Sequence, residues 1–550
     1  MTSRQLSGHP IGTEYERLLR HINELRGTQG GTEPFSQRVT IEILSKDSLL
    51  KIFRHCLDAT PRYWPTLASV CRKWRQILFA LPLGPNLRLH FTHGTPVLKT
   101  LDFLPAFPIV VQYGGSPTLD PPAPEDEDNI VAALKQSDRV STIGLTITTS
   151  LLEKLSAIKE PFLRLEELVL RSPDNTQPIL PSTFRWGTRL RRLHSTRIAL
   201  PALPQLLSSS ENLVDLKLHE IGYFSPEALA DGLSRMTQLQ SLSLHFLSSR
   251  TSHIGTSPLP GERVVLPPLS CLKFRGTSEY LNDLVTRIDA PGLVDIQVRF
   301  FNQLIFHILQ FVQFIDRIET QKSHRRVDFV SFKHFISIYF TRPGAPTRLK
   351  MRVSCEQLDW QLSVITQIWD QLAPLLSRIE SLGVYTTQCS NGQDDMNKEQ
   401  WLELIRGFGG AKDFRVTGGL ATDILRTLCR ADGEHTTMLP SLRTLGVLGP
   451  MRGSLWEAVE AFTSRRPSNH FVEVYPLSPL DFPGPDTKKG KRGTAPPQYS
   501  CTVCDAWLHN PARPQQTQRH ALKMCPYYGV FKWSQACKYY LFENASKATL

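Results

Sequence analysis

The apolar positions of the chain follow two different periods. Between residues 140 and 300, short segments recur with apolar residues at their first, fourth and sixth positions, and seven successive copies start 23 to 30 residues apart. The copies are VSTIGL from Val140, LEELVL from Leu165, LRRLHS from Leu190, LVDLKL from Leu213, LQSLSL from Leu239, LSCLKF from Leu269 and LVDIQV from Leu293, with later copies at Ile379 (IESLGV) and Leu442 (LRTLGV). The apolar–polar–apolar ending is typical of a short strand with one buried face.

The spacing of these copies predicts one strand and one helix or turn in each repeat. A period of about 20 to 29 residues is typical of leucine-rich repeats. Between two copies, SPEALADGLSRM predicts a helix capped by Ser225 with Pro226 in its first turn. Such units stack to bury their faces, which gives a curved solenoid. The fold class predicted for residues 91–475 is therefore α/β, a leucine-rich-repeat solenoid, with irregular repeats and longer insertions between 304 and 378.

The polar residues between the repeat leucines are predicted to line the concave face of this solenoid. They are varied and include no catalytic grouping, which favours binding of a protein substrate. The candidate substrate-facing residues are Arg192, Asp215, Lys217, Gln240, Ser243, Lys273 and Gln297.

A helical period of apolar residues precedes the repeats, over residues 39–90. KDSLLKIFRHCL and YWPTLASVCRKWRQILFAL predict two helices, and DATPR separates them because Pro61 cannot continue the first. This segment resembles the F-box family, through Ile43, Leu44, Leu49, Leu50, Ile52 and Phe53 in its first half and Leu67, Val70, Cys71, Arg72, Trp74 and Arg75 in its second. The following PNLRLHFTHGTPVLKTLDFLPAFPIVV resembles F-box proteins of mushroom-forming fungi, while Ser45 stands where the family usually has proline.

The resemblance implies a function. An F-box module docks on a Skp-type adaptor of a cullin ubiquitin ligase, and the repeats hold the substrate. The chain would then be a substrate-recognition subunit, not an enzyme, and it would need no cofactor for this role. The residues expected to contact the adaptor are Leu44, Leu49, Ile52, Phe53 and Leu67, whereas Val70 and Trp74 are expected in the module's own core. The alternative is that all of these side chains pack inward or against the first repeat.

The C-terminal residues suggest a metal site after a linker at 476–498. The segment 499–550 contains Cys501-x2-Cys504-x15-His520-x4-Cys525, a set that could hold one structural zinc in a closed tetrahedral site. Incidental thiols on a tail remain the alternative. The basic run KKGKRG nearby keeps a second function open, namely a zinc-finger nucleic-acid binder or a leucine-rich scaffold that engages no ligase.

Composition narrows the compartment and the function classes. The 550 residues are 41% apolar and 21% charged. The net charge is +12, and the lysines and arginines are scattered along the chain. With ten cysteines and no secretory signal, a cytoplasmic or nuclear location is expected, with the six isolated cysteines buried as free thiols. No membrane helix is expected, since polar residues interrupt the most apolar run, 300–315.

The remaining segments are predicted to lie outside the folded elements. Residues 1–38 are expected to be weakly ordered, and 114–129 to form a Pro-rich acidic loop with solvated charges. No Gly-rich phosphate loop, Gly-x-Ser-x-Gly elbow or His-Glu-x-x-His motif occurs in the sequence, so an enzyme is disfavoured.

Overall fold

The computed structural model describes most of the chain between residues 45 and 476. The described residues are 45–59, 64–79, 87–103, 107–113, 123–173, 177–200, 203, 207, 209–247, 262–301, 303, 305–332, 335–342, 348–354, 358–386, 405–431, 439–448, 453–466 and 472–476. Two compact units divide between Arg88 and Leu89. The predictions for 1–38 and for the tail 499–550 fall outside the described residues.

The described residues of the first unit form three helices, α1 (Lys46–Ala59), α2 (Trp64–Val70) and α3 (Arg72–Phe79). Ser45 caps α1, because its hydroxyl oxygen accepts a hydrogen bond from the Ser48 amide at 3.1 Å. Residue 45, where F-box sequences usually carry proline, is therefore the N-cap of this helix.

Aromatic side chains hold these three helices together. Phe53 of α1 meets Trp74 of α3 edge to face, with ring centroids 4.8 Å apart. Trp64 of α2 contacts Phe79 of α3, and its indole N–H donates to the carbonyl oxygen of Arg88. Buried aromatic pairs of this kind stabilise a small helical module beyond the apolar area they cover.

The second unit alternates strands with helices. The helices are α4 (Val97–Phe103), α5 (Pro124–Leu134), α6 (Thr149–Ser156), α7 (Pro226–Leu233), α8 (Ser278–Arg287), α9 (Leu309–Arg317), α10 (Leu358–Leu376), α11 (Gly418–Ala431) and α12 (Ser454–Ser464). The strands are β1 (Leu89–Phe91), β2 (Ile109–Tyr113), β3 (Val140–Thr146), β4 (Glu167–Arg171), β5 (Arg192–Thr196), β6 (Asp215–Ile221), β7 (Ser241–Phe246), β8 (Val264–Val265), β9 (Cys271–Gly276), β10 (Ile288–Asp289), β11 (Asp295–Phe300), β12 (Arg326–Phe332), β13 (Phe335–Thr341), β14 (Arg348–Ser354), β15 (Ser381–Thr386), β16 (Asp413–Thr417), β17 (Thr444–Leu448) and β18 (Glu473–Pro476).

Within the described residues, sixteen strands form one large, mostly parallel sheet. Its order follows the chain from β1 to β7 and then through β9 and β11, and it follows the chain again from β15 to β18. Each of the nine repeat copies found in the sequence corresponds to one of these strands. The unit is thus a mixed α/β fold built on a large parallel sheet.

Three strands interrupt the parallel order in the middle of the sheet. Between β11 and β15 the order is β14, β13, β12, so this antiparallel meander runs backwards relative to the chain. β14 pairs parallel with β11, β12 pairs parallel with β15, and β13 is antiparallel to both of its neighbours. The regular repeat is interrupted between 304 and 378, where irregular repeats with longer insertions were predicted, but the segment forms an antiparallel meander whose strand order the sequence spacing did not reveal.

The core lies on the helix side of the sheet. Leucines at alternate positions are fully buried, for example Leu216 and Leu218 on β6 and Leu242 and Leu244 on β7. The predicted cap of α7 is confirmed, since the Ser225 hydroxyl accepts from the Ala228 amide at 3.1 Å and Pro226 opens the helix.

The expectation of a solvated acidic loop at 114–129 is wrong for its second half. Residues from Pro124 onward form α5, and Asp126 and Glu127 are buried. The Asp126 carboxylate accepts from the Gly94 amide at 3.0 Å. These acids are structural because neighbouring donors satisfy them inside the unit.

The prediction of buried thiols holds only in part. Cys429 is buried, Cys56 and Cys271 are half-buried, and Cys71 is exposed. Cys71 precedes α3, and its sulfur accepts from the Trp74 amide at 3.5 Å, so it caps this helix from the surface. Cys355 and Cys389 lie outside the described residues. In the described part of the chain, no helix has the length and apolar content needed to cross a membrane.

Candidate functional site

The helical module exposes some apolar side chains and buries others. Leu49 and Phe53 are 1% and 0% exposed, so both pack within the protein, whereas Ile52 is 45% exposed. Leu67 is half-buried, and Leu44 lies outside the described residues. Of the described residues expected at the adaptor, Ile52 is the one whose side chain is exposed.

The core assignment of the other two module residues is half right. Trp74 is buried against Phe53, as predicted. The prediction that Val70 belongs to the core is wrong, because it ends α2 and is 54% exposed. Among the described residues of this unit, Ile52 and Val70 are the exposed large apolar side chains.

The repeat sheet has a second face that the described helices leave open. Counting each copy from its first apolar residue, positions one, four and six are buried, and positions three, five and seven point to the opposite side. We call that side the open face; it is the face predicted to be concave. Strand register aligns equal positions of neighbouring copies into three rows across the sheet.

Most predicted substrate-facing residues lie on or beside the open face. Arg192 and Gln240 are exposed, while the remaining polar side chains except Ser243 are half-buried: Asp215, Lys217, Lys273 and Gln297. Ser243 is a correction, since it is 1% exposed and its hydroxyl lies 2.8 Å from Nε2 of His219. The imidazole covers this serine and leaves it no surface for a partner.

Sequence analysis missed the row at position seven. From β4 to β14 this row contains Arg171, Thr196, His219, His245, Arg275, Arg299 and Arg352, each in register with the next. The repeat as first defined stops at position six and therefore does not include these side chains. Extending the frame by one position would have revealed a run of histidine and arginine.

The two histidines of this row stack on each other. The rings of His219 and His245 are 4.0 Å apart between centroids and 8° from coplanar, and His194 meets His219 edge to face at 5.2 Å. Burial lowers the pKa of His219 to about 4 and that of His245 to about 3, with further lowering by nearby cations. For His245 these cations are Arg299, Arg275 and Lys273. The stack is therefore uncharged at neutral pH.

A bulge in β6 directly follows its position-seven residue, His219. The register between β6 and β7 shifts between His219 and Ile221, and the extra residue, Glu220, has a φ of 53°. Its carboxylate forms an ion pair with Arg197, which follows β5 and has a φ of 58°. This ion pair holds the negative charge of Glu220 at Arg197, beside the position-seven row. The carboxylate does not lie opposite the arginines of that row.

Carboxylates balance the cations on one part of the open face. On β12 the Arg326 Nε donates to Asp328 at 2.8 Å, and on β16 the Arg415 Nε donates to Asp413 at 2.7 Å. Burial raises the pKa of Asp328, although Arg326 opposes that change. In both strands a carboxylate two residues away neutralises the arginine.

The neighbouring strands β9, β11 and β14 carry a different charge pattern. Positions five and seven are Lys273 and Arg275 on β9, Gln297 and Arg299 on β11, and Lys350 and Arg352 on β14, with no acid among them. The nearest strand carboxylate, Asp295 at position three, accepts from the Gln297 amide at 3.0 Å. We call Lys273, Arg275, Arg299 and Lys350 the cationic patch.

The open face also contains one thiol. Cys271 at position three of β9 lies 3.7 Å from Asp295, and burial together with that carboxylate raises the pKa of the thiol. It therefore stays protonated at neutral pH. Among the described residues, no group of three or more His, Cys, Asp or Glu side chains could hold a metal ion. The predicted zinc ligands Cys501, Cys504, His520 and Cys525 lie outside the described residues, and that site stays a prediction.

Two solved structures are similar to the chain at a low level. The leucine-rich repeat-containing protein LegL7 from Legionella pneumophila is 11% identical, over 70% of this chain and 100% of that chain, with a TM-score of 0.25. The Rad7 and Elc1 complex of yeast is 12% identical, over 81% of this chain and 94% of that chain, with a TM-score of 0.23. Similarities this distant carry no argument about function. No protein-family model and no curated protein matches the chain.

Proposed function

We propose that the chain is a non-catalytic substrate receptor of a Skp–cullin–F-box ubiquitin ligase. In this proposal the helical module docks on the adaptor, and the repeat sheet binds a protein substrate through its open face. The supporting observation is that Ile52 and Val70, 45% and 54% exposed, present apolar surface in the segment that resembles an F-box. Exposed apolar side chains of this size are common anchors at protein interfaces.

The open face supports the substrate-binding half of the proposal. Its rows are polar, differ in charge from strand to strand, and continue across neighbouring repeats in register. A rigid sheet that presents varied side chains is suited to selecting one protein surface over others. No step of this function requires a metal or a cofactor.

Co-purification tests the proposal. The tagged full chain is expected to recover the Skp-type adaptor together with the cullin. The double variant Ile52→Asp, Val70→Asp is expected to lose both, because a charge at either position opposes burial against a partner. The control is Lys51→Asp, Ser69→Asp, which introduces two aspartates one residue earlier at exposed positions and, because it also removes the Lys51 ammonium, lowers the net charge by one unit more than the test variant.

Two outcomes would contradict the proposal. One is that the wild-type chain recovers neither the adaptor nor the cullin. The other is a strongly salt-dependent affinity for nucleic acid that disappears when residues 488–550 are deleted, which would favour a nucleic-acid binder instead. Circular dichroism of each variant checks whether its helical content matches that of the wild type.

A further inference from the structure

The cationic patch brings together positive side chains from three neighbouring strands, β9, β11 and β14. Arg275 and Arg299 are in direct register on β9 and β11, and Arg299 is in register with Arg352 on β14. Like charges directly opposite each other on neighbouring strands destabilise a sheet. On β12 and β16 an acid lies two residues from the arginine and pairs with it, whereas on β11 the acid, Asp295, lies four residues from Arg299, and the sequences of β9 and β14 contain no acid.

Aromatic rings hold several of these cations in place. The Arg275 guanidinium lies 5.5 Å from the centre of the Phe301 ring, and the Lys350 ammonium lies 5.1 Å from that of Tyr339. Arg352 is 8% exposed and its guanidinium lies over the Phe335 ring, so it adds positive charge from below the surface. The charges are thus positioned before any ligand arrives, which lowers the cost of binding.

We propose that the cationic patch binds an acidic segment of the substrate protein, an extended stretch in which alternate residues are aspartate or glutamate. The inference rests on the proposed function in one respect only, that the open face is where the substrate binds. The occupant is a peptide whose charge complements Lys273, Arg275, Arg299 and Lys350.

The spacing of the cations favours several separate carboxylates. In-register side chains on neighbouring strands stand about 4.8 Å apart, and positions five and seven of one strand about 6.7 Å apart. Side chains on one face of an extended peptide repeat at about the same 6.7 Å. Four cations spread in this way match a row of carboxylates better than they match one compact dianion.

The surroundings of the patch limit how long a polyanion could be. Asp295 lies at position three of β11, Asp215 lies at position three of β6 and pairs with Lys217, and Asp328 lies on β12. A nucleic-acid backbone running beyond the patch would pass over these carboxylates. The uncharged pair His219 and His245 borders the patch on the same side as Asp215, on β6 and β7, and its imidazoles can donate hydrogen bonds to a peptide.

A charge-defined peptide tests this inference in the full chain. The probe is a fluorescein-labelled 14-residue peptide of alternating Glu and Ser, compared with the same peptide carrying Gln for Glu, with a Gln peptide bearing one phosphoserine, and with a 12-nucleotide poly(U). We expect the Glu peptide to bind at least about tenfold more tightly than each of the other three. We also expect its affinity to fall at least about fivefold in Lys273→Gln, Arg275→Gln.

A matched variant controls for net charge. Arg164→Gln, Arg235→Gln removes the same charge from exposed positions outside the strands and is expected to leave the affinity unchanged. If Lys273→Gln, Arg275→Gln lowers the melting temperature, the single variant Lys273→Gln replaces it, with an expected loss of at least about threefold. No binding of the Glu peptide, equal loss in both double variants, or tighter binding of phosphoserine or poly(U) each overturns the inference.

The same variants separate this inference from the proposed function. Lys273→Gln, Arg275→Gln should still recover the adaptor and the cullin. If adaptor recovery is intact while the Glu peptide fails to bind, the acidic-segment inference is wrong and the ligase proposal stands. If the Glu peptide binds as expected but no adaptor is recovered, the ligase proposal is wrong and the acidic-segment inference stands.

Discussion

At the scale of single residues, the open face combines cations with uncharged histidines. His219 and His245 are stacked, and burial is the main cause that lowers the pKa of each. His194, Lys217 and Lys273 add to this effect at His219, while Glu220 opposes it. The folded protein keeps these imidazoles neutral. It therefore loses stability when the pH falls far enough for the same histidines of the unfolded chain to take up protons.

The sign of that effect gives a prediction. Because the folded-state pKa of both histidines lies below the unfolded value of about 6.5, their contribution is complete above that pH and is lost as the pH falls toward about 4. The melting temperature of the wild type should therefore drop more between pH 7.5 and 5.0 than that of His219→Gln, His245→Gln. Differential scanning fluorimetry measures both, with the exposed His307→Gln as control. Equal drops in all three proteins would contradict the assignment.

At the scale of elements, hydrogen-bonded acids join α5 to α6. Thr148 and Ser150, at the start of α6, donate to the two oxygens of Glu127 at 2.7 and 2.8 Å, and Lys154 lies 3.1 Å away. Burial alone would raise the pKa of Glu127, but these donors hold it below the usual value. Sequence composition suggested a loop here, since Pro-rich acidic runs are mostly solvated and the donors lie some twenty residues away in the chain.

Removal of the Glu127 carboxylate should destabilise the start of the repeat sheet. Glu127→Ala leaves the hydroxyls of Thr148 and Ser150 without their acceptor, at a cost of about 2 kcal/mol. The neighbouring Asp128, whose side chain is 79% exposed, also contacts Lys154 and provides the matched control. Thermal unfolding should show a melting temperature lower by several degrees in Glu127→Ala and nearly unchanged in Asp128→Ala. An equal effect of both changes would show that the buried hydrogen bonds are not what matters.

At the scale of the whole molecule, sequence periodicity predicts the repeats well and their arrangement less well. Leucine spacing located each strand from β3 to β7, because a buried face imposes its period on the sequence. The backward meander β12–β14 was not predictable, since pairing order depends on contacts between distant residues. The exposed Val70 and the buried Ser243 were misplaced for the same reason: exposure depends on neighbours that a local pattern does not contain.

The most direct test of the receptor account is the affinity of the full chain for a purified Skp-type adaptor. We measure it by biolayer interferometry for the wild type, for Ile52→Asp and for Lys51→Asp, the exposed neighbour on α1. The account predicts stable binding by the wild type and by Lys51→Asp, and at least about tenfold weaker binding by Ile52→Asp, equivalent to about 1.4 kcal/mol. Failure of the folded wild-type chain to bind, or equal binding by Ile52→Asp, would contradict it.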